Sequence, residues 1–251
     1  MIKVSNLYKS FNGKPVLEDI SVTFKPGITN LIIGRSGSGK TVLLKSIVGL
    51  HDIEAGEIWY ENTLFNKLNF VGKKLIRSEM GMLFQGSALF DSLTVEQNVL
   101  FPLEMFTDKT QEEKIERVNF CLNRVDIINA NHLFPSELSG GMKKRVAIAR
   151  AIALNPKYLF CDEPNSGLDP ITAILIDALI KELTEEYSMT TIVNTHDMNS
   201  VMEIGEKILF ISDGRKCWEG NKNDILNSDN ETLNDFVFAN SLAKKLRTSG
   251  K

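Results

Sequence analysis

The segment Gly34-Arg35-Ser36-Gly37-Ser38-Gly39-Lys40-Thr41 constrains this chain more than any other. It fits the pattern G-x-x-x-x-G-K-S/T. The apolar run Thr29-Asn30-Leu31-Ile32-Ile33 precedes it, and Val42, Leu43, Ile47 and Leu50 follow at helical spacing. A strand, a glycine-rich turn and a helix in that order make an anion site. Glycines let backbone N–H groups close on phosphate oxygens, and the helix N-terminus adds partial positive charge. Gly34, Arg35, Ser36, Gly37, Ser38 and Gly39 are the candidate phosphate cradle, with Val42 in the first helical turn. Lys40 is placed to reach β- and γ-phosphates, and the Thr41 hydroxyl to bind Mg²⁺. A glycine-rich turn without a ligand is the alternative, and the flanking strand and helix argue against it. The loop alone leaves GTPases, kinases, helicases and transport ATPases open.

The 251 residues suffice for one large domain, or one domain carrying a lobe. Hydrophobic residues at 43% and charged residues at 24% exclude wholesale disorder. A net charge of −3 argues against a nucleic-acid binder working through a basic face. No apolar run approaches the roughly 20 residues that cross a bilayer, and the start, Met1-Ile2-Lys3-Val4-Ser5-Asn6, lacks a signal-peptide core. Cys121, Cys161 and Cys217 lie far apart and show neither metal-ligand pairing nor a disulfide framework. The expectation is a cytoplasmic protein that reaches a membrane only through a partner.

Periodicity divides the chain into three. Residues 16–24, 29–33, 57–60 and 81–84 read as strands and 41–50 as a helix. Residues 94–154 read as helical. Within them 110–124 opens on the capping-box spacing of Thr110 and Glu113, and 142–154 stops before Pro156. Beyond, 158–161, 190–194, 208–212 and 216–219 read as strands. Asp169-Pro170 starts a helix running to 187, and 232–246 reads as a terminal helix. The pattern is an α/β core with an inserted helical lobe.

Two further segments carry chemistry. Tyr158-Leu159-Phe160-Cys161-Asp162-Glu163 is an apolar strand ending in two carboxylates. Asp162 can hold Mg²⁺, and Glu163 can polarise an attacking water as general base; a helix-capping acidic pair is the plainer alternative. Leu138-Ser139-Gly140-Gly141-Met142 precedes a helix with Lys143, Lys144 and Arg145 in its first turns. Ser139 and the free helix N–H groups at Gly140 and Gly141 would form a second anion site. Two anion sites and one nucleotide loop in a chain suggest two chains sharing two ATP molecules.

In order and spacing, these three segments resemble the nucleotide-binding domains of ABC transporters. The resemblance extends to Phe11 at the position of an adenine-stacking aromatic, Gln85 as the Q-loop glutamine and a ligand of Mg²⁺, and Ser166-Gly167-Leu168-Asp169 as the D-loop. His196 matches the switch histidine that contacts the γ-phosphate. It implies an α/β P-loop ATPase core with an N-terminal antiparallel β subdomain and an inserted α-helical subdomain at about 86–155. Residues 1–220 would form the cassette and 221–251 a helical tail. Catalytic roles fall to Glu163, His196 and Gln85, with ATP and Mg²⁺ as ligands. The signature departs from the family at Met142, where glutamine is usual, and Asn165 replaces the common threonine.

The segments 81–95, 139–154 and 167–172 resemble the Mla/Mce subgroup. That implies phospholipid trafficking with a membrane permease and an MCE-domain substrate-binding protein, at the cytoplasmic face of the inner membrane. Lipoprotein and amino-acid transporters remain alternatives, as does a soluble ABC ATPase of the iron–sulfur assembly type. No heptads lie between Lys40 and Ser139, which excludes the coiled-coil DNA-repair types. The apolar run at 86–103, with Leu89, Phe90 and Leu93, is the expected permease contact, packing of the lobe core being the alternative for any one of them.

Overall fold

The computed structural model describes residues 1–238. In chain order the elements are β1 (Ile2–Phe11), β2 (Lys14–Phe24), β3 (Thr29–Ile33), α1 (Lys40–Ile47), β4 (Ala55–Tyr60), β5 (Thr63–Leu64), α2 (Phe70–Ser78), β6 (Met80–Leu83), α3 (Val95–Phe106), α4 (Gln111–Arg124), α5 (Gly140–Ile152), β7 (Tyr158–Asp162), α6 (Pro170–Glu186), β8 (Thr190–Thr195), α7 (Met198–Ile204), β9 (Lys207–Ser212), β10 (Arg215–Gly220) and α8 (Glu231–Val237). They form two compact units. The first holds Met1–Lys25, Thr29–Lys67 and the chain from Asn194; the second holds Pro26–Ile28 and Leu68–Val193.

In the first unit, β2-β1-β4-β5 form an antiparallel sheet. Ile2, Val4 and Leu7 of β1 and Ile20, Val22 and Phe24 of β2 are buried. Strand β1 is absent from the sequence reading for a physical reason. Its pairing slips between Val4 and Leu7, and Asn6 takes a left-handed φ of 47°. Bulges of this kind break the period-two alternation that marks a strand. A second set of strands, β10-β9-β3, pairs β9 antiparallel with β10 and parallel with β3. Asp213 (φ 49°) and Gly214 (φ 74°) make the tight hairpin between β9 and β10. All five residues of β3 are buried, as in a strand covered on both faces.

In the second unit, β6 and β7 pair in parallel, from Met80 with Tyr158 to Leu83 with Cys161. Thr94 and Thr110 cap α3 and α4 through reciprocal capping boxes. Val95, Val99 and Leu103 of α3, Val118 and Leu122 of α4, and Val146 and Ile152 of α5 are buried. Not all of 94–154 is helical: Asp126 (φ 54°) and Asn129 (φ 59°) break the chain into turns between α4 and α5. Helix α5 starts two residues before its expected position, with Ser139 as N-cap. Helix α1 stops at Ile47, where Gly49 turns left-handed at φ 75°. Helix α2, absent from the sequence reading, buries none of its residues and leaves Phe70, Val71 and Leu75 exposed. The expected terminal helix begins as α8; its continuation to 246 lies outside the described residues. No helix among the described residues is long and apolar enough to cross a membrane.

Candidate active site

In the first unit the loop between β3 and α1 is fitted around its glycines. A Cβ at Gly34 (φ 153°) would lie 2.2 Å from the Ile211 carbonyl oxygen. One at Gly39 (φ 104°) would lie 2.7 Å from Leu17 Cδ2. Gly37 is left-handed at φ 81°. Gly34 therefore leaves no room for a side chain, and Gly37 and Gly39 take backbone conformations that glycine favours. Lys40, almost fully buried, folds back over the loop and donates to the carbonyls of Gly34 (2.8 Å) and Arg35 (3.0 Å). No side chain caps α1 at Gly39. The Ser38 hydroxyl is buried and has no hydrogen-bond partner, an orphan that a phosphate oxygen would satisfy. Arg35, Ser36 and Gly37 are exposed, and Thr41 and Val42 half-buried, at the start of α1.

Phe11 ends β1 with its ring 41% exposed, more than a packing role requires. Its ring meets His51 edge-on, centroids 5.2 Å apart and planes at 80°. Lys9 Nζ lies 4.8 Å from the Phe11 centroid and is paired with Glu54 at 2.9 Å. Glu54 also accepts from the Ser10 N–H at 2.8 Å. Burial, followed by the charges of Lys45 and Lys9, lowers the His51 pKa. The ring beside Phe11 is therefore neutral at neutral pH. No sequence motif singles out His51. A base stacked on Phe11 should contribute roughly five- to a hundredfold in affinity, the order for base–aromatic stacking. Phe11→Ala is expected to raise the Kd for ATP by that factor, measured by titration calorimetry, with inorganic triphosphate binding unchanged.

His196 follows β8 and is exposed, while its neighbour Asp197 accepts from the Asn199 N–H at 2.9 Å and so caps α7. The histidine is thereby left at the surface of a fixed strand end.

In the second unit, β7 delivers Asp162 buried and Glu163 directly after it. Glu163 holds a left-handed φ of 48°, costly for a residue with a side chain and typical of functional sites. The Gln85 amide, past the end of β6, donates to Glu163 Oε2 at 3.1 Å and to Ser166 Oγ at 3.3 Å. The structure thus joins Gln85, the candidate base and Ser166.

Ser139 accepts from the Met142 N–H at 3.2 Å. This leaves its own proton for an incoming acceptor. A Cβ at Gly141 would lie 2.7 Å from Thr172 Cγ2, so a side chain there would have to displace Thr172 where α5 meets α6. Asp169 caps α6, accepting from the N–H groups of Ile171 (3.1 Å) and Thr172 (3.0 Å) and from Thr172 Oγ1 (2.5 Å). The bond from the Thr172 hydroxyl leads the causes that hold the Asp169 carboxyl below the usual carboxylate range. Ser139, Gly140, Gly141 and Asp169 line one open groove of about 550 Å³. Of the basic residues of α5, Arg145 also lines this groove. Lys144 is buried against Gln85, and Arg145 is taken by the Val125 carbonyl (2.9 Å) and Asp126 (3.0 Å).

Known proteins share much of this sequence and fold. Residues 17–166 match the family model described as ABC transporter. The chain is 40% identical over 216 residues to the methionine import ATP-binding protein MetN of Clostridium tetani, covering 86% of this chain and 67% of MetN. It is 34% identical over 236 residues to the probable ribonucleotide transport ATP-binding protein mkl of Mycobacterium tuberculosis, covering 94% of this chain and 66% of that protein. Among solved structures it matches the ATP-binding cassette MJ0796, a dimer in a post-hydrolysis state bound to ADP and Pi. That match has a TM-score of 0.80 and 35% identity, and covers 88% of this chain and 99% of that one. The family match and the identity to these relatives place the chain: it is an ATP-binding cassette of the ABC transporter family.

Proposed function

We propose that two copies of this chain pair head to tail over two ATP molecules and that their closure and reopening drive a membrane permease. The observation that carries this reading is the groove in which Ser139, Gly141 and Asp169 meet without any phosphate-binding lysine of their own. A second copy would complete it with the 34–41 loop. The dimeric state of the MJ0796 cassette supports the same arrangement.

In this reading the cradle N–H groups, the Ser38 hydroxyl and Lys40 bind the β- and γ-phosphates, and Phe11 stacks on adenine. Thr41, Gln85 and Asp162 offer a hydroxyl, an amide oxygen and a carboxylate, the oxygen-only donors that suit Mg²⁺. Bound Mg²⁺ neutralises charge on the phosphate oxygens. Glu163, held by Gln85, takes a proton from the attacking water. His196 and, from the other copy, Ser139 with Gly140 and Gly141 hold the γ-phosphate oxygens. Lys40→Ala is expected to lower both ATP affinity and turnover. Unchanged nucleotide binding in that variant would refute the assigned loop.

Residues 1–220 form the cassette in this reading, 86–155 the helical lobe, and 221–251 a tail. The permease is expected to dock in an apolar groove of about 390 Å³ lined by Met82, Phe84, Phe90, Phe101, Pro102 and Leu154. A helix laid in a groove needs such exposed apolar anchors. Docking there would hold the chain at the cytoplasmic face of the cell membrane.

For cargo, the resemblance of 81–95 and 139–154 to the Mla/Mce subgroup favours phospholipid and an MCE-domain partner. A second reading, an amino acid, is favoured by the 40% identity to MetN. Neither relative reported above is named for a lipid. Purification of the chain with its permease, followed by lipid extraction and by methionine stimulation of ATPase activity, separates the two. Phospholipid in the complex without stimulation supports the first, and stimulation by methionine supports the second.

A further inference from the structure

Two lysines are buried among the described residues, Lys40 in the phosphate loop and Lys144 in α5. Lys144 is 4% exposed and has no role in the mechanism above. It lies in the second turn of α5, beyond the Ser139 cap and the two glycines of the groove. Its ammonium donates to the backbone carbonyl of Gln85. The Gln85 side chain in turn holds Glu163 and Ser166. An ammonium withdrawn from water survives only with compensating partners. Burial lowers the Lys144 pKa, and the negative charges of Glu163 and Asp162 are among the influences that oppose this fall. The helix that caps one anion site is therefore fastened to Gln85 itself through Lys144, while Arg150 of the same helix holds the following residues, Ser87 and Ala88.

We propose that Lys144 is a positioning residue that makes hydrolysis at one nucleotide depend on occupancy of the other. The proposal rests on the shared-site reading. There, Ser139, Gly140 and Gly141 close over one nucleotide while Gln85 and Glu163 of the same chain serve the second. A helix moves as a rigid rod, so a shift of the α5 N-terminus on meeting phosphate displaces Lys144. Lys144 carries the Gln85 backbone with it, and Gln85 re-aims Glu163. The coupling element is short and covalently simple: one helix turn, one hydrogen bond, and one amide on one carboxylate. Neither Lys143 nor Arg145 can substitute. Lys143 is not buried, and Arg145 is committed to Val125 and Asp126.

The test is steady-state ATPase activity of the full chain against ATP concentration, with Lys144→Met compared with the parent. Met keeps most of the apolar stem and removes the buried charge, a replacement that proteins commonly accept. The expected result is positive cooperativity in the parent and a Hill coefficient of one in Lys144→Met. The kcat should fall roughly ten- to a hundred-fold, as for a misplaced catalytic group, with half-saturating ATP little changed. Lys144→Arg, which keeps a donor, should restore cooperativity. A parent without cooperativity, or a Lys144→Met chain with the parent's Hill coefficient and kcat, overturns the proposal. So does a Lys144→Met chain that melts far below the parent and no longer binds ATP, which assigns the residue to folding alone. Glu163→Gln in the same assay tests the underlying reading separately: undiminished hydrolysis there removes the site itself, whatever Lys144 shows.

Discussion

Glu163→Gln is expected to slow ATP hydrolysis roughly 10²- to 10⁴-fold, the range for loss of a positioned general base. ATP binding should be unaffected. The side chain keeps its shape and its contact with Gln85, since an amide oxygen accepts the same hydrogen bond that Glu163 Oε2 accepts at 3.1 Å. The left-handed backbone at Glu163 is equally available to Gln. What disappears is the capacity to take a proton. ATP that binds and is not cleaved should hold two chains together, because nothing removes the phosphate that bridges them. Light scattering of Glu163→Gln with Mg-ATP should report a dimer, and the parent under turnover a monomer or a mixture. Monomer alone, in isolation and with partners, would exclude the shared site.

Phe90→Lys is expected to abolish transport in cells while the purified chain still binds ATP. Leu89 and Leu93 are half-buried, whereas Phe90 is 43% exposed, with its ring 4.8 Å from Phe101 at the rim of the apolar groove. The backbone there is secured independently of the Phe90 side chain. Asn98 accepts from the Phe90 N–H (2.8 Å) and donates to the carbonyls of Phe90, Leu93 and Thr94, while Arg150 donates to Ser87 and Ala88 (both 2.8 Å). A cation at position 90 faces Arg150, whose guanidinium lies 5.9 Å from the ring, and has no carboxylate to pair with in the groove lining. An apolar partner helix would have to bury that charge unpaired, at a cost of several kcal/mol. The free chain leaves it in water, so its melting temperature should move little. A large fall in melting temperature with loss of ATP binding would show that Phe90 packs the lobe rather than a partner.

The strand–loop–helix from β3 to α1 and the carboxylate end of β7 were legible in the sequence because local pattern and chemistry coincide there. Apolar runs set the strands, glycines set the turn, and the polar residues stand at strand ends. Strand β1 was not legible, because its bulges spoil the alternation. Helix α2 was not, because it is short and Gly72 in its first turn weakens the helical signal. The site's supporting residues were hidden for a different reason. His51 beside Phe11 and Lys144 beneath Gln85 act through contacts 40 and 59 positions away in the chain. A basic run such as Lys143-Lys144-Arg145 reads as a solvated face. Only the helical spacing of Lys144 from the buried Ala147 and Ile148 hints that it points inward.

The fit of the phosphate loop also sets an order on the making of the protein. Its shape depends on residues synthesised long after it. The Ile211 carbonyl presses against Gly34, the Gly214 N–H donates to the Ser38 carbonyl at 3.2 Å, and the Glu18 N–H donates to the Gly214 carbonyl at 2.8 Å. A nascent chain emerging from the ribosome therefore carries the complete loop sequence for most of its synthesis without the scaffold that shapes it. The contacts that close it span about 180 positions, which makes them late and slow to form. Nucleotide capture is in this sense a checkpoint on completion: a chain interrupted before β9 and β10 holds every glycine of the cradle and still has no cradle.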